Sequence, residues 1–154
     1  MSGGTKVQEY RFKHRLKVRF GEIDAAEIVF HPHFLHYLDI ALSEYFGEGL
    51  KLPRTEMAKK GEFAYILKKI NVEFVNPATV DEWLNIWCKV EEIKNTSFVV
   101  SFVITRDGGG EEDTILKATN VYVSYDFYSK KTRPVPDFVR RAINSFEMEG
   151  VTNY

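Results

Sequence analysis

The feature that most constrains this chain is a helix without a polar side. Projected at about 100° per residue, Phe34 to Phe46 carries apolar side chains around most of the circle. The exceptions His36, Asp39 and Ser43 fall in one narrow seam, with Glu44 beside it. A helix apolar nearly all round has to be wrapped by something, and a polar seam on a wrapped helix needs partners. The rest of the chain supplies the wrapping.

From Phe63 onward the period changes from 3.6 to 2. Ile66, Lys68, Ile70, Val72 and Phe74 share one strand face, opposite Lys69, Asn71 and Glu73, before Asn76-Pro77 breaks the run. Leu84, Ile86, Cys88 and Val90 then alternate with Asn85, Lys89 and Glu91. After the turn Lys94-Asn95-Thr96, Phe98, Val100, Phe102 and Ile104 oppose Ser97, Ser101 and Thr105. Asp107 to Gly110 closes a hairpin, and Ile115 to Tyr125 reads as a further strand. Upstream, Glu9 to Phe20 alternates loosely and suggests the first strand. Gly47-Glu48-Gly49 stops the long helix, Pro53 to Gly61 suggests a short helix, and Pro136-Asp137 opens a last one.

One long helix followed by consecutive strands implies an α+β domain, a five-stranded antiparallel sheet curled around the helix, with a C-terminal helix. The domain is placed over residues 9–147, between a flexible start (1–8) and a tail (148–154). Such a sheet has open edges that a second copy can pair with, so a homodimer or homotetramer is expected.

At 154 residues, with net charge −1, the chain has no basic footprint, and nucleic acid is not an expected partner. The single cysteine, Cys88, excludes an internal disulfide and a cysteine-based zinc site. No apolar run approaches the roughly 20 residues of a membrane helix, and MSGGTK carries no apolar signal segment. A cytoplasmic protein without membrane association is the expectation.

The loop before the helix, Gly21 to Glu27, brings Glu22, Asp24 and Glu27 to the positive end of the helix dipole, with Pro32 at the helix start. Asp24 has two readings. It is either a turn or capping residue, or a nucleophile or general base beside N–H groups that polarise a carbonyl. Glu22 and Glu27 are its rivals. His31, His33 and His36 complete no familiar ligand spacing, so no metal and no cofactor is expected. His31, at the helix entrance, suits a hydrogen-bonding or acid–base role better. Gly108 to Gly110 lacks the lysine and helix of a phosphate loop, and no Gly-x-Ser-x-Gly elbow occurs.

The run GEIDAAEIVFHPHFLHYLDIALSEYF resembles the signature of the 4-hydroxybenzoyl-CoA thioesterase family of hotdog-fold acyl-CoA thioesterases. The likeness continues through Gly61, Glu73-Phe74, Asn76-Pro77-Ala78 and Ser97-Phe98-Val99. It implies a hotdog fold and hydrolysis of an acyl-CoA, or of an acyl carrier protein thioester. It puts the catalytic aspartate on Asp24 and the backbone N–H that holds the carbonyl oxygen on His31. Asp39, Tyr65, Ser97 and Lys94 fall where substrate is bound, Tyr65 standing where the 4-hydroxybenzoyl enzyme has a pocket threonine. The chain departs from the pattern twice. Glu27 replaces the motif glycine, and Lys94-Asn95-Thr96 replaces consecutive basic residues that grip the CoA nucleotide. A hotdog dehydratase using His31 with Glu27, and a non-catalytic acyl-CoA-binding protein, are the alternatives on the same fold.

Overall fold

The structure, a computed structural model, describes residues 7–154. The expectation of a flexible start falls largely on residues 1–6, outside the described residues, while Val7–Glu9 form a single 3-10 turn. Strand β1 (Phe12–Lys17) leads into a loop and then helix α1 (His31–Glu44), which continues as a π-helical turn, Tyr45–Gly49. Next come α2 (Arg54–Lys59), β2 (Tyr65–Phe74), β3 (Trp83–Ile93), β4 (Ser97–Arg106) and β5 (Thr114–Asp126). A two-residue strand β6 (Lys131–Thr132), α3 (Asp137–Glu147) and a two-residue β7 (Thr152–Asn153) complete the chain.

The main sheet runs in the order β1-β3-β4-β5-β2, every neighbouring pair antiparallel. This is the curled sheet around a long helix that the periodicities imply. Phe34, Tyr37, Leu38, Ala41, Leu42, Tyr45 and Phe46 of the helix are buried against Leu84, Ile86, Cys88, Phe98, Val100 and Phe102 of the sheet. Burial of each large side chain contributes roughly 1.5–3 kcal/mol, so the helix and the sheet's inner face stabilise each other. The α1 face turned from the sheet stays open in a single chain, where Leu35, His36 and Asp39 are exposed. His31 is the first helical residue and Pro32 the second, one position earlier than the proline suggests.

Strand β2 departs from its expected pattern. A bulge between Leu67 and Lys69 shifts its register against β5, so strict alternation fails and only Ile70 and Val72 of the expected face are partly covered. The physical reason is position, because β2 is a sheet edge, paired with β5 alone.

Helix α3 is tied to the body by a buried acid. Glu147 accepts from the Tyr45 hydroxyl at 2.5 Å and from the Val90 N–H at 3.2 Å. Burial raises its carboxyl pKa even against those two donors. Cys88 is fully buried among core residues, where burial pushes its thiol pKa up.

Candidate active site

The loop ahead of α1 is a small hairpin folded onto the helix. Ile23 bridges Val29, Asp24 N–H donates to the Ile28 carbonyl at 2.9 Å, and Phe30 N–H donates to the Glu22 carbonyl at 3.0 Å. Val29 N–H ties the returning strand to Ala78 at 2.8 Å. At the tip, Glu27 N–H donates to the Asp24 carbonyl, and Ala26 N–H donates to Asp24 Oδ1 at 2.8 Å. Asp24 thus fills the turn role that its residue type suggests. Its carboxylate remains solvent-exposed, with one oxygen engaged by the turn. At the far side of the hairpin α1 begins: Pro32 has no N–H and His33 N–H donates to the Phe30 carbonyl at 2.9 Å, which leaves the His31 N–H without an acceptor among the described residues. The Asp24 carboxylate and the His31 N–H therefore share one end of the domain.

Glu22 is not a rival for the chemistry; it is the anchor of this loop. Its carboxylate accepts from Tyr37 Oη at 2.7 Å, from Arg19 N–H at 2.8 Å and from Arg19 Nη2 at 2.7 Å. Burial pushes its pKa up, but those bonds outweigh the penalty and the net shift is downward. Tyr37, buried in α1, is pushed up by burial and by the carboxylate it bonds. Tyr37→Phe removes one donor from a buried carboxylate and is expected to cost roughly 1–3 kcal/mol, several degrees in Tm for a chain of this size. A depressed folded pKa stabilises above the unfolded value of 4.5, and that stabilisation is lost as pH falls through the folded value. The gap in Tm between parent and variant should therefore narrow below about pH 4.5 in a thermal-melt pH series.

Glu27 sits at φ +65°, the left-handed region that favours glycine. The backbone still takes the conformation of a glycine turn, and the Thr79 hydroxyl bonds the Glu27 carbonyl at 2.9 Å. Left-handed backbone costs a side-chain-bearing residue about 1–2 kcal/mol, while glycine loses about 0.5–1 kcal/mol in chain entropy. Glu27→Gly is therefore expected to raise stability by roughly 0.5–1 kcal/mol in denaturant titrations.

His31, the first residue of α1, has an exposed side chain. The ring lies 4.7 Å from that of Phe74 and is parked against β2. Together with Ile28, Phe34, Asn76 and Pro77 it walls a hollow of about 350 Å³ at the helix entrance. His33 and His36 do not join it. A separate group, His14, Glu44 and Glu48, brings ligand-type atoms within 4.8 Å of one another near the other end of α1.

The remaining sequence candidates lie elsewhere. Tyr65 starts β2, Ser97 starts β4 in register with Val123, and Lys94 caps the β3–β4 turn by an N–H bond to the Ser97 carbonyl. Asp24 and His31 adjoin the Phe74 end of β2. The extended strand from Tyr65 to Phe74 is ten residues long and spans roughly 30 Å. A single chain therefore splits the expected site between its two ends.

At the Tyr65 end lies a larger hollow of about 730 Å³, lined by Ser43, Arg54, Lys59, Tyr65, Phe127 and Tyr128. Here the polar seam of α1 finds its partner. Arg54 Nη1 donates to Asp39 Oδ1 at 3.0 Å and to Ser43 Oγ at 3.1 Å, and the guanidinium lies 4.2 Å from the Tyr65 ring centre. Arg54 went unnoticed in the sequence, although a seam of Asp39 and Ser43 on a wrapped helix required such a donor.

Comparison with known proteins gives a consistent picture. The sequence model of the Thioesterase-like superfamily matches residues 18–143. The 4-hydroxybenzoyl-CoA thioesterase of Pseudomonas sp. (strain CBS-3) is 29% identical over 109 residues, 70% of this chain and 77% of that protein. Acyl-CoA thioester hydrolase YbgC of Escherichia coli O157:H7 is 25% identical over 126 residues, 81% of this chain and 90% of that one. Among solved structures, BH1999 gentisyl-coenzyme A thioesterase superposes with a TM-score of 0.76 at 25% identity, over 86% of this chain and 99% of that one.

Proposed function

The chain belongs to the thioesterase-like superfamily, and on that footing we propose that it hydrolyses an acyl-CoA thioester to a carboxylic acid and free CoA. The observation that supports this reading is an exposed Asp24 carboxylate at the same end of the domain as the His31 N–H, which has no acceptor among the described residues. Asp24 either draws a proton from the water that attacks the thioester carbonyl, or attacks that carbonyl itself to form a mixed anhydride that water then hydrolyses to the acid and free Asp24. The N–H of His31, reinforced by the helix dipole, receives the charge that grows on the carbonyl oxygen. The thiolate of CoA leaves, and it is this released thiol that an assay reads.

The active unit in this proposal is a homodimer joined through β2. The edge strand is apolar on the outside, with Ile66, Leu67, Phe74 and Val75 each more than a third exposed. It is also self-complementary when run antiparallel against itself. The register that sets Leu67 against Phe74 also sets Ile66 against Val75 and Lys68 against Glu73. Such pairing places the Tyr65 end of one subunit beside the His31 end of the other. Asp24 and His31 then face Tyr65, Ser97 and Lys94 of the partner subunit, and the two hollows join into one acyl and CoA channel. The 30 Å separation within one chain is thereby resolved.

A panel of acyl-CoAs of graded length assayed by thiol release tests the activity. Turnover of at least one class, with the purified dimer, is the expected outcome. Tight binding across the panel with no thiol released would instead assign an acyl-CoA-binding role.

A further inference from the structure

The Tyr65 end of the channel holds more hydrogen-bonding capacity than the protein itself uses. Tyr65 is 2% exposed, and its hydroxyl has no hydrogen-bond partner among the described residues. The Ser43 hydroxyl lies close by, but it does not meet Tyr65 in bonding geometry, and its Oγ accepts from Arg54. Behind Tyr65, Tyr122 Oη accepts from Asn120 Nδ2 at 3.1 Å, while the buried Asn120 Oδ1 is also unpartnered. Buried polar atoms without partners are rare and costly, and each calls for a missing group.

The chemistry of that group follows from what is already spent. Asp39 would be the natural acceptor for a donor on a ligand, but it is occupied by Arg54. Arg54 Nη1 serves Asp39 and Ser43, whereas Nε and Nη2 bond no protein atom among the described residues. Lys59 lines the same hollow. Glu44 also lines the hollow, and beside that one carboxylate the cavity offers a ligand donors: a planar guanidinium edge, an ammonium and, at its inner wall, a phenolic O–H. A planar fork of N–H groups fits a carboxylate best.

We infer that the Arg54–Tyr65 cluster selects acyl groups that end in a carboxylate, so that the favoured substrates are CoA half-thioesters of dicarboxylic acids. The inference rests on the thioesterase reading above and names its substrate class. Arg54 stacked on Tyr65 holds the far carboxylate, Asp39 and Ser43 hold Arg54, and the thioester end reaches the α1 N-terminus of the other subunit.

The test compares a ω-carboxyacyl-CoA with an unsubstituted acyl-CoA of the same chain length. The parent is expected to favour the carboxylate by about tenfold or more in kcat/KM, since a charge-assisted bond to a ligand is being read. Arg54→Gln and Tyr65→Phe, which keep the stem or the stacked ring, are expected to bring that ratio close to one, chiefly through KM. A merely structural role would lower both substrates alike and leave the ratio in place, which would overturn the inference, as would a parent that prefers the unsubstituted chain. Binding of the same pair to the Asp24→Asn protein, measured by calorimetry, reads the preference without turnover. A parent that releases thiol from neither substrate defeats the thioesterase reading. Equal binding of the pair defeats the carboxylate selection.

Discussion

Asp24→Asn is expected to lower thiol release by at least about 100-fold, close to 3 kcal/mol of lost transition-state stabilisation, with little change in fold. The substitution isolates charge from shape. The asparagine side-chain carbonyl can still accept the Ala26 N–H bond that Asp24 Oδ1 takes at 2.8 Å. The Asp24 backbone bonds to Ile28 and Glu27 do not depend on the side chain at all. A thermal midpoint within a degree or two of the parent is therefore part of the prediction. Loss of rate with an intact midpoint assigns the carboxylate to the chemistry. Full activity in the variant would reduce Asp24 to the turn residue that its geometry already makes it, and would move the search to Glu27. Glu27→Gln provides that control, since it removes the second exposed carboxylate of the loop and is expected to leave the rate within a few-fold of the parent.

The fold was legible in the chain because its two periodicities do not overlap. The run Phe34 to Phe46 admits no strand reading, and Leu84 to Val90 admits no helix reading. The turn at Lys94-Asn95-Thr96 and the glycines at 108–110 then fix which strands are neighbours, and the sheet pairs β3 with β4 and β4 with β5 accordingly. Less legible was everything decided by contacts between distant segments. Glu22 looks like Asp24 and Glu27 in the sequence, yet Tyr37, fifteen residues on, turns it into a buried anchor. Arg54 belongs to a helix of six residues with no strong pattern, and its role emerges only where α2 folds against Asp39, Ser43 and Tyr65. Glu27 shows the opposite case. The resemblance marks a glycine position there, and the positive φ states the physical reason for that glycine.

The second large effect concerns the edge of β2. Leu67→Glu is expected to dissociate the proposed dimer and to abolish activity at dilute enzyme. In the proposed antiparallel register Leu67 meets Phe74 of the partner subunit, and the two-fold axis repeats that contact. Each subunit thus brings one carboxylate into an apolar contact, so the penalty counts twice. At about 2 kcal/mol per unpaired polar group, the total approaches about 4 kcal/mol, on the order of 1,000-fold in the dimer Kd. Sedimentation and rate measured over the same concentration range should fall together, because it is the proposed dimer that brings Asp24 to Tyr65. The Lys68–Glu73 pair tests the register itself. Lys68→Glu sets two carboxylates face to face and should weaken the dimer, and adding Glu73→Lys in the same chain should restore it. A Leu67→Glu monomer that retains full kcat/KM would mean that one chain holds a complete site, and the Tyr65 end would then lose its place in the reaction.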